Sequence, residues 1–115
     1  MIRAITRDDL RAKLRDMPGR TLLIDVRSKE DYERAHIKGA ISIPLPELSM
    51  TADKSFARDQ DIIVYCGSFE CQLSSNAAQT LHEMGYENVL EYEGGLKDWQ
   101  TAGFMVESKE SLKAA

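Results

Sequence analysis

The stretch "DIIVYCGSFECQLSSNAAQTL" (61–81) decides how the rest of the chain is read. "DIIVYC" is a continuous apolar run rich in β-branched residues, as in a strand buried on both faces. It ends in Cys66, passes through a small polar loop with a second cysteine, Cys71, and enters a helical pattern. From Ser74 to Met84, Leu73, Ala77, Leu81 and Met84 share one helical face, and Gly85 supplies a C-terminal stop. A cysteine at such a place is either a small packing residue or a nucleophile at the mouth of a strand–loop–helix unit. The first reading is the more common for an isolated cysteine. The strand-end position before a glycine favours the second.

A nucleophilic cysteine acts as its thiolate, so something must stabilise negative charge at Cys66. Successive backbone N–H groups of "GSFECQL" form such a nest if they point inward, and the opening helix adds the positive end of its dipole. Gly67 and Ser68 suit a tight loop. The scheme calls for no histidine base and no cofactor.

Working outward, "TLLIDV" (21–26) is a second buried strand, "GAISIP" (39–44) a brief one and "ENVLEY" (87–92) another. Thr6 with Asp9 caps a helix carrying Leu10, Leu14 and Met17, which "PG" at 18–19 stops. Ser28 with Asp31 repeats the pattern for a short helix through Ala35. Residues 44–60 have mixed polarity and read as a connector with one helical turn near "PELS". After the glycine pair at 94–95 comes a final helix, "LKDWQTAG", and then a frayed or loosely docked tail, "MVESKESLKAA". Strands alternating with helices predict an α/β sandwich around a mainly parallel sheet. Ligands of such sheets bind at the carboxyl ends of the strands, where Cys66 lies.

The 115 residues support one domain, with 43% hydrophobic and 30% charged residues and a net charge of −4. That charge speaks against nucleic acid or an anionic membrane as a partner. No apolar run is long enough to span a bilayer, and the N-terminal "MIRAITRDDL" lacks the apolar core of a signal peptide, so a cytoplasmic location is expected. In that reducing compartment the two cysteines are expected as free thiols, metal ligands or redox groups rather than a permanent disulfide. A zinc site from Cys66, Cys71, His36 and His82 lacks the usual paired short spacings.

The segments "LLIDVRSKEDYERAHIKGAISIPL", "IIVYC", "SSNAAQTLHEMGYENV" and "YEGGLKDW", in this order, resemble the rhodanese-like family across residues 4 to 104, leaving 105–115 as a tail. The resemblance implies a three-layer sandwich around a five-stranded, mainly parallel sheet, with the catalytic cysteine at Cys66. It also implies sulfurtransferase chemistry, in which the thiolate takes sulfane sulfur as a persulfide and passes it to an acceptor thiol. By the same resemblance Asp25 and Arg27 are supporting residues, Asp25 bonding backbone and Arg27 pairing with an acid such as Glu33. His36 holds a turn, and Gly94 and Gly95 turn beside the site.

The chain departs from the family in its loop, commonly Cys-x4-Arg followed by Ser and the helix. Here Cys71 stands where arginine is common, and Gln72 and Leu73 intervene before Ser74. The expected substrate loop, Gly67, Ser68, Phe69, Glu70, Cys71 and Gln72, carries no cation and one acid. Losing one cationic hydrogen bond costs roughly 1.5–3 kcal/mol, or one to two powers of ten in affinity. Weak use of thiosulfate and a preference for a small-molecule or protein persulfide donor, with a thiol acceptor, are therefore expected. Cys71 either resolves Cys66 through a disulfide or packs the loop. Phe69 either shapes donor access or folds inward. The alternatives are a regulatory module that senses oxidants or reactive sulfur with little turnover, and a phosphatase or arsenate reductase. The last lacks the cations that phosphoryl transfer requires. A homodimer is left open.

Overall fold

The computed structural model describes residues 2–109. In chain order the elements are β1 (Arg3–Ala4), α1 (Arg7–Asp16), β2 (Thr21–Asp25), α2 (Lys29–Arg34), β3 (His36–Ile37), β4 (Ile41–Ser42) and α3 (Leu45–Ser55). There follow β5 (Asp61–Tyr65), α4 (Leu73–Glu83), β6 (Val89–Tyr92), α5 (Gly95–Thr101) and β7 (Val106–Glu107). Five strands form a parallel sheet in the order β1-β6-β5-β2-β4, and helices cover both faces. The expected α/β architecture is present.

Side-chain alternation along β5 divides the interior. Ile62, Val64 and Cys66 face a layer containing Leu48 and Ala52 of α3 and Ala77 and Leu81 of α4. Ile63 and Tyr65 face the opposite layer, with Leu10 of α1 and Leu96 and Trp99 of α5. Burial on both sides explains why β2 and β5 read as unbroken apolar runs. The helix starts follow the polar signals: Thr6 Oγ1 accepts from Asp9 N–H and Ser28 Oγ from Asp31 N–H, each at 3.1 Å.

One expectation is corrected. Residues 45–55 form an eleven-residue helix rather than a connector with one turn. Only Leu48 and Ala52 are buried in it, so its apolar face is too narrow to stand out in the sequence, and Pro46 suits its first turn. For the tail, read as frayed or loosely docked, the first residues follow the docked alternative. Val106–Glu107 pairs antiparallel with His36–Ile37, and Trp99 Nε1–H donates to the Met105 carbonyl at 2.9 Å. The remainder of the expected tail, 110–115, lies outside the described residues.

α3 is tied to the sheet's other elements by Tyr86. Its buried hydroxyl lies 2.7 Å from the Ala52 carbonyl and 2.8 Å from that of Phe56, and accepts from Arg58 Nη1 at 2.9 Å. Tyr86→Phe removes the hydroxyl from both carbonyls; that of Ala52 keeps the Phe56 N–H, whereas that of Phe56 loses its side-chain donor. Urea unfolding is expected to show a loss of about 1–2 kcal/mol.

Candidate active site

The carboxyl ends of β2, β5 and β6 lie side by side, with Asp25 registered on Tyr65 and Tyr65 on Tyr92. Cys66 follows directly, and its residue is only 1% exposed. Its backbone is gripped by the start of α5: Leu96 N–H donates to the Cys66 carbonyl and Lys97 N–H to the Gly67 carbonyl, both at 2.9 Å. This approach requires a glycine. Gly95 has φ +68°, and a Cβ there would lie 2.5 Å from the Cys66 carbonyl oxygen and 2.8 Å from Ser68 N.

The loop turns back on itself, with Cys71 N–H donating to the Ser68 carbonyl at 3.1 Å. The turn sets the Cα atoms of Cys66 and Cys71 6.4 Å apart, and the two residues are joined as a disulfide. No described cysteine is free, so of the free-thiol, metal-ligand and redox readings the pairing falls under the redox one. The physical reason is the turn, which a reading of spacing alone does not locate. Glu70 is exposed, and the Ser68 hydroxyl, 2.8 Å from Oε2, lowers its pKa, aided by the charge of Lys97. Phe69 is 67% exposed, which settles its orientation outward. With Arg7, Tyr92, Glu93, Gly94 and Asp98 it borders a cleft of about 400 Å³. Gln72 is exposed and precedes α4 without a side-chain cap.

Asp25 is fully buried and accepts from the Arg27 backbone N–H at 3.0 Å. Arg27 pairs with Asp25, not with Glu33: Nη2 lies 2.8 Å from Asp25 Oδ2 and 2.6 Å from the Ala35 carbonyl. Two residues of extended chain bring the guanidinium back onto its own strand end, while Glu33 lies 4.0 Å from Lys109. Burial opposes the Arg27 charge, but the hydrogen bonds and charge of Asp25 outweigh it and raise its pKa. His36 stacks on Tyr32 at 3.7 Å, with Nδ1 2.8 Å from the Tyr32 carbonyl oxygen and Nε2 3.6 Å from Glu107. These contacts lie within α2, β3 and β7. His82 is exposed on α4.

Three residues to which the sequence reading gave no role, Ser74, Ser75 and Glu91, complete the site. Ser74 and Ser75, in the first turn of α4, both donate to Glu91 Oε2, at 2.7 and 2.8 Å. Ser74 Oγ also lies 3.4 Å from Cys66 Sγ. Glu91 is only 7% exposed. The signal was present in "NVLEY", a carboxylate inside an apolar strand, but its partners sit on an element distant in sequence. No cluster able to hold a metal ion occurs among the described residues, nor any helix long and apolar enough to cross a membrane.

Gly95→Ala is expected to destabilise the protein by clearly more than the roughly 1–2 kcal/mol of left-handed backbone strain. Gly103 has φ +81° with nothing within 4 Å of a Cβ, so Gly103→Ala should cost only that strain. Parallel urea titrations check the difference.

A family model described as Rhodanese-like domain matches residues 6–102. The HTH-type transcriptional regulator Rv0324 of Mycobacterium tuberculosis is 37% identical over 106 residues, covering 90% of this chain and 44% of the regulator. The chain therefore spans less than half of that relative's length. Thiosulfate sulfurtransferase PspE of Escherichia coli is 42% identical over 76 residues, covering 65% of this chain and 70% of PspE. The solution structure of the rhodanese-like domain of the Alr3790 protein from Anabaena superposes with a TM-score of 0.85 at 31% identity, covering 100% of this chain and 86% of that one. The chain belongs to the family of rhodanese-like domains.

Proposed function

We propose that the chain is a sulfurtransferase in which Cys66 carries sulfane sulfur as a persulfide, accepting it from persulfide donors in preference to thiosulfate. The observation that supports this most is the placement of Cys66. It opens a loop at the carboxyl ends of three strands, held by the α5 amides, with Phe69 and Glu70 outermost. The Cys66 thiolate attacks the outer sulfur of a donor persulfide, the donor S–S bond breaks, and the donor leaves as its thiolate. An acceptor thiolate then attacks the outer sulfur on Cys66, which departs as the thiolate it began as.

The donor preference follows from charge. Between Gly67 and Gln72 there is no lysine or arginine, and Glu70 is held ionised by Ser68. Thiosulfate brings two negative charges into this field, whereas a persulfide presents one reactive sulfur on a carrier that makes its own contacts. The pairing of Cys66 with Cys71 supports a resolving role for Cys71. Its thiolate attacks Cys66 Sγ of the persulfide, hydrosulfide leaves, and the disulfide awaits reduction by an external dithiol.

A second reading, a module that senses reactive sulfur or oxidants, is favoured by the same disulfide and by the similarity to a transcriptional regulator. Turnover separates the two. Reduced protein incubated with glutathione persulfide should gain one sulfur atom by intact-mass spectrometry. The gain should vanish in Cys66→Ser and persist longer in Cys71→Ser. Repeated discharge by added thiol supports transfer, while a wild type that stops at the disulfide supports sensing. The kcat/KM for a persulfide donor should exceed that for thiosulfate by at least about tenfold, and the reverse order would overturn the preference.

A further inference from the structure

We propose that Glu91, acting through the Ser74 hydroxyl, governs the protonation of Cys66: it holds the hydroxyl's hydrogen away from the sulfur and so favours the thiol over the thiolate. The inference rests on the assignment of Cys66 as the reactive sulfur. It concerns a residue that touches no donor, and Glu91 is therefore a positioning residue rather than a catalytic one.

Three groups form a line through the interior. Cys66 Sγ lies 3.4 Å from Ser74 Oγ, and Ser74 Oγ lies 2.7 Å from Glu91 Oε2. Cys66 and Ser74 are each 1% exposed. Glu91 is registered between Ala4 of β1 and Val64 of β5, on the apolar face that α4 covers. A carboxylate in such a layer is costly unless its oxygens receive hydrogen bonds. Both serine hydroxyls supply them, and no arginine, lysine or histidine pairs with Glu91 among the described residues.

The consequence follows from the count of protons. A serine hydroxyl has one hydrogen, and Ser74 commits it to Glu91, so only its lone pairs face the sulfur. In the disulfide form the sulfur brings no hydrogen to this contact. In the reduced form the Cys66 S–H donates to Ser74 Oγ. The carboxylate behind the hydroxyl further disfavours a negative charge on sulfur.

Other charges surround these groups and stay in place in every variant below. β2 contributes the Asp25–Arg27 pair, whose Arg27 Cδ lies 4.0 Å from where a Cβ on Gly67 would be. The loop contributes Glu70 and α5 contributes Lys97, which interact with each other. On the elements packed against Glu91, β1 carries Arg3, β5 begins at Asp61, and α4 carries His82 and Glu83 at the end opposite Ser74.

The test uses Cys71→Ser, in which Cys66 is the single remaining cysteine of the chain. The ultraviolet absorbance of the thiolate is titrated against pH, a readout that needs neither donor nor access to the buried sulfur. Adding Glu91→Gln removes the charge in nearly the same volume, and the midpoint is expected to fall by about one pH unit. Ser74→Ala should also move it, and the two shifts should be non-additive in the combined variant, because both interrupt one chain. An unchanged midpoint in a folded Glu91→Gln protein overturns the proposal, as do fully additive shifts. If Glu91→Gln does not fold, an unchanged midpoint in Ser74→Ala overturns it instead. Failure of Cys66 to accept sulfur would refute the transfer reading and leave this titration intact.

Discussion

The grip of α5 on the loop is the contact on which the site depends. Two amides from the start of a short helix hold the carbonyls of Cys66 and Gly67, and they reach them because Gly95 has no side chain. A loop after a parallel strand has no neighbour to complete its ladder, so its backbone groups need partners from elsewhere. Here they come from the turn that follows β6, the adjacent strand in the sheet. The glycine pair joins the third strand end to the first residues of the loop. The backbone at Cys66 and Gly67 is thereby held by main-chain contacts rather than by the side chains of the loop.

The loop so held carries Phe69, Glu70 and Cys71 and no lysine or arginine. Asp25 and Arg27 satisfy each other and the Ala35 carbonyl, so the guanidinium is spent on holding the chain between β2 and β3. The loop holds no lysine or arginine beside the Cys66 sulfur; behind it stand the Ser74 hydroxyl, 3.4 Å away, and beyond that the buried Glu91.

Elements whose signal is local were legible. β2 and β5 announced themselves as apolar runs because both faces are covered, and Thr6 and Ser28 marked helix starts through a hydrogen bond three residues long. α3 was not legible, since its stability comes from Leu48, Ala52 and the reach of Tyr86, all dependent on packing against α4 and the sheet. β1 and β7 have two residues each, too few for any period to appear. The position of Cys66 could be read from the end of its strand. The partner of Arg27, the exposure of Phe69 and the joining of Cys66 to Cys71 required coordinates.

By itself, the order of apolar runs, caps and glycines determined an α/β sandwich with a cysteine at a strand end, because each signal acts over a few neighbouring residues. Only the tertiary structure decided what stands around that cysteine. Cys66, Ser74 and Glu91 come from a strand, a helix and a second strand separated along the chain. They meet because sheet register and helix packing, and no local rule of spacing, bring one face of β6 beneath the first turn of α4.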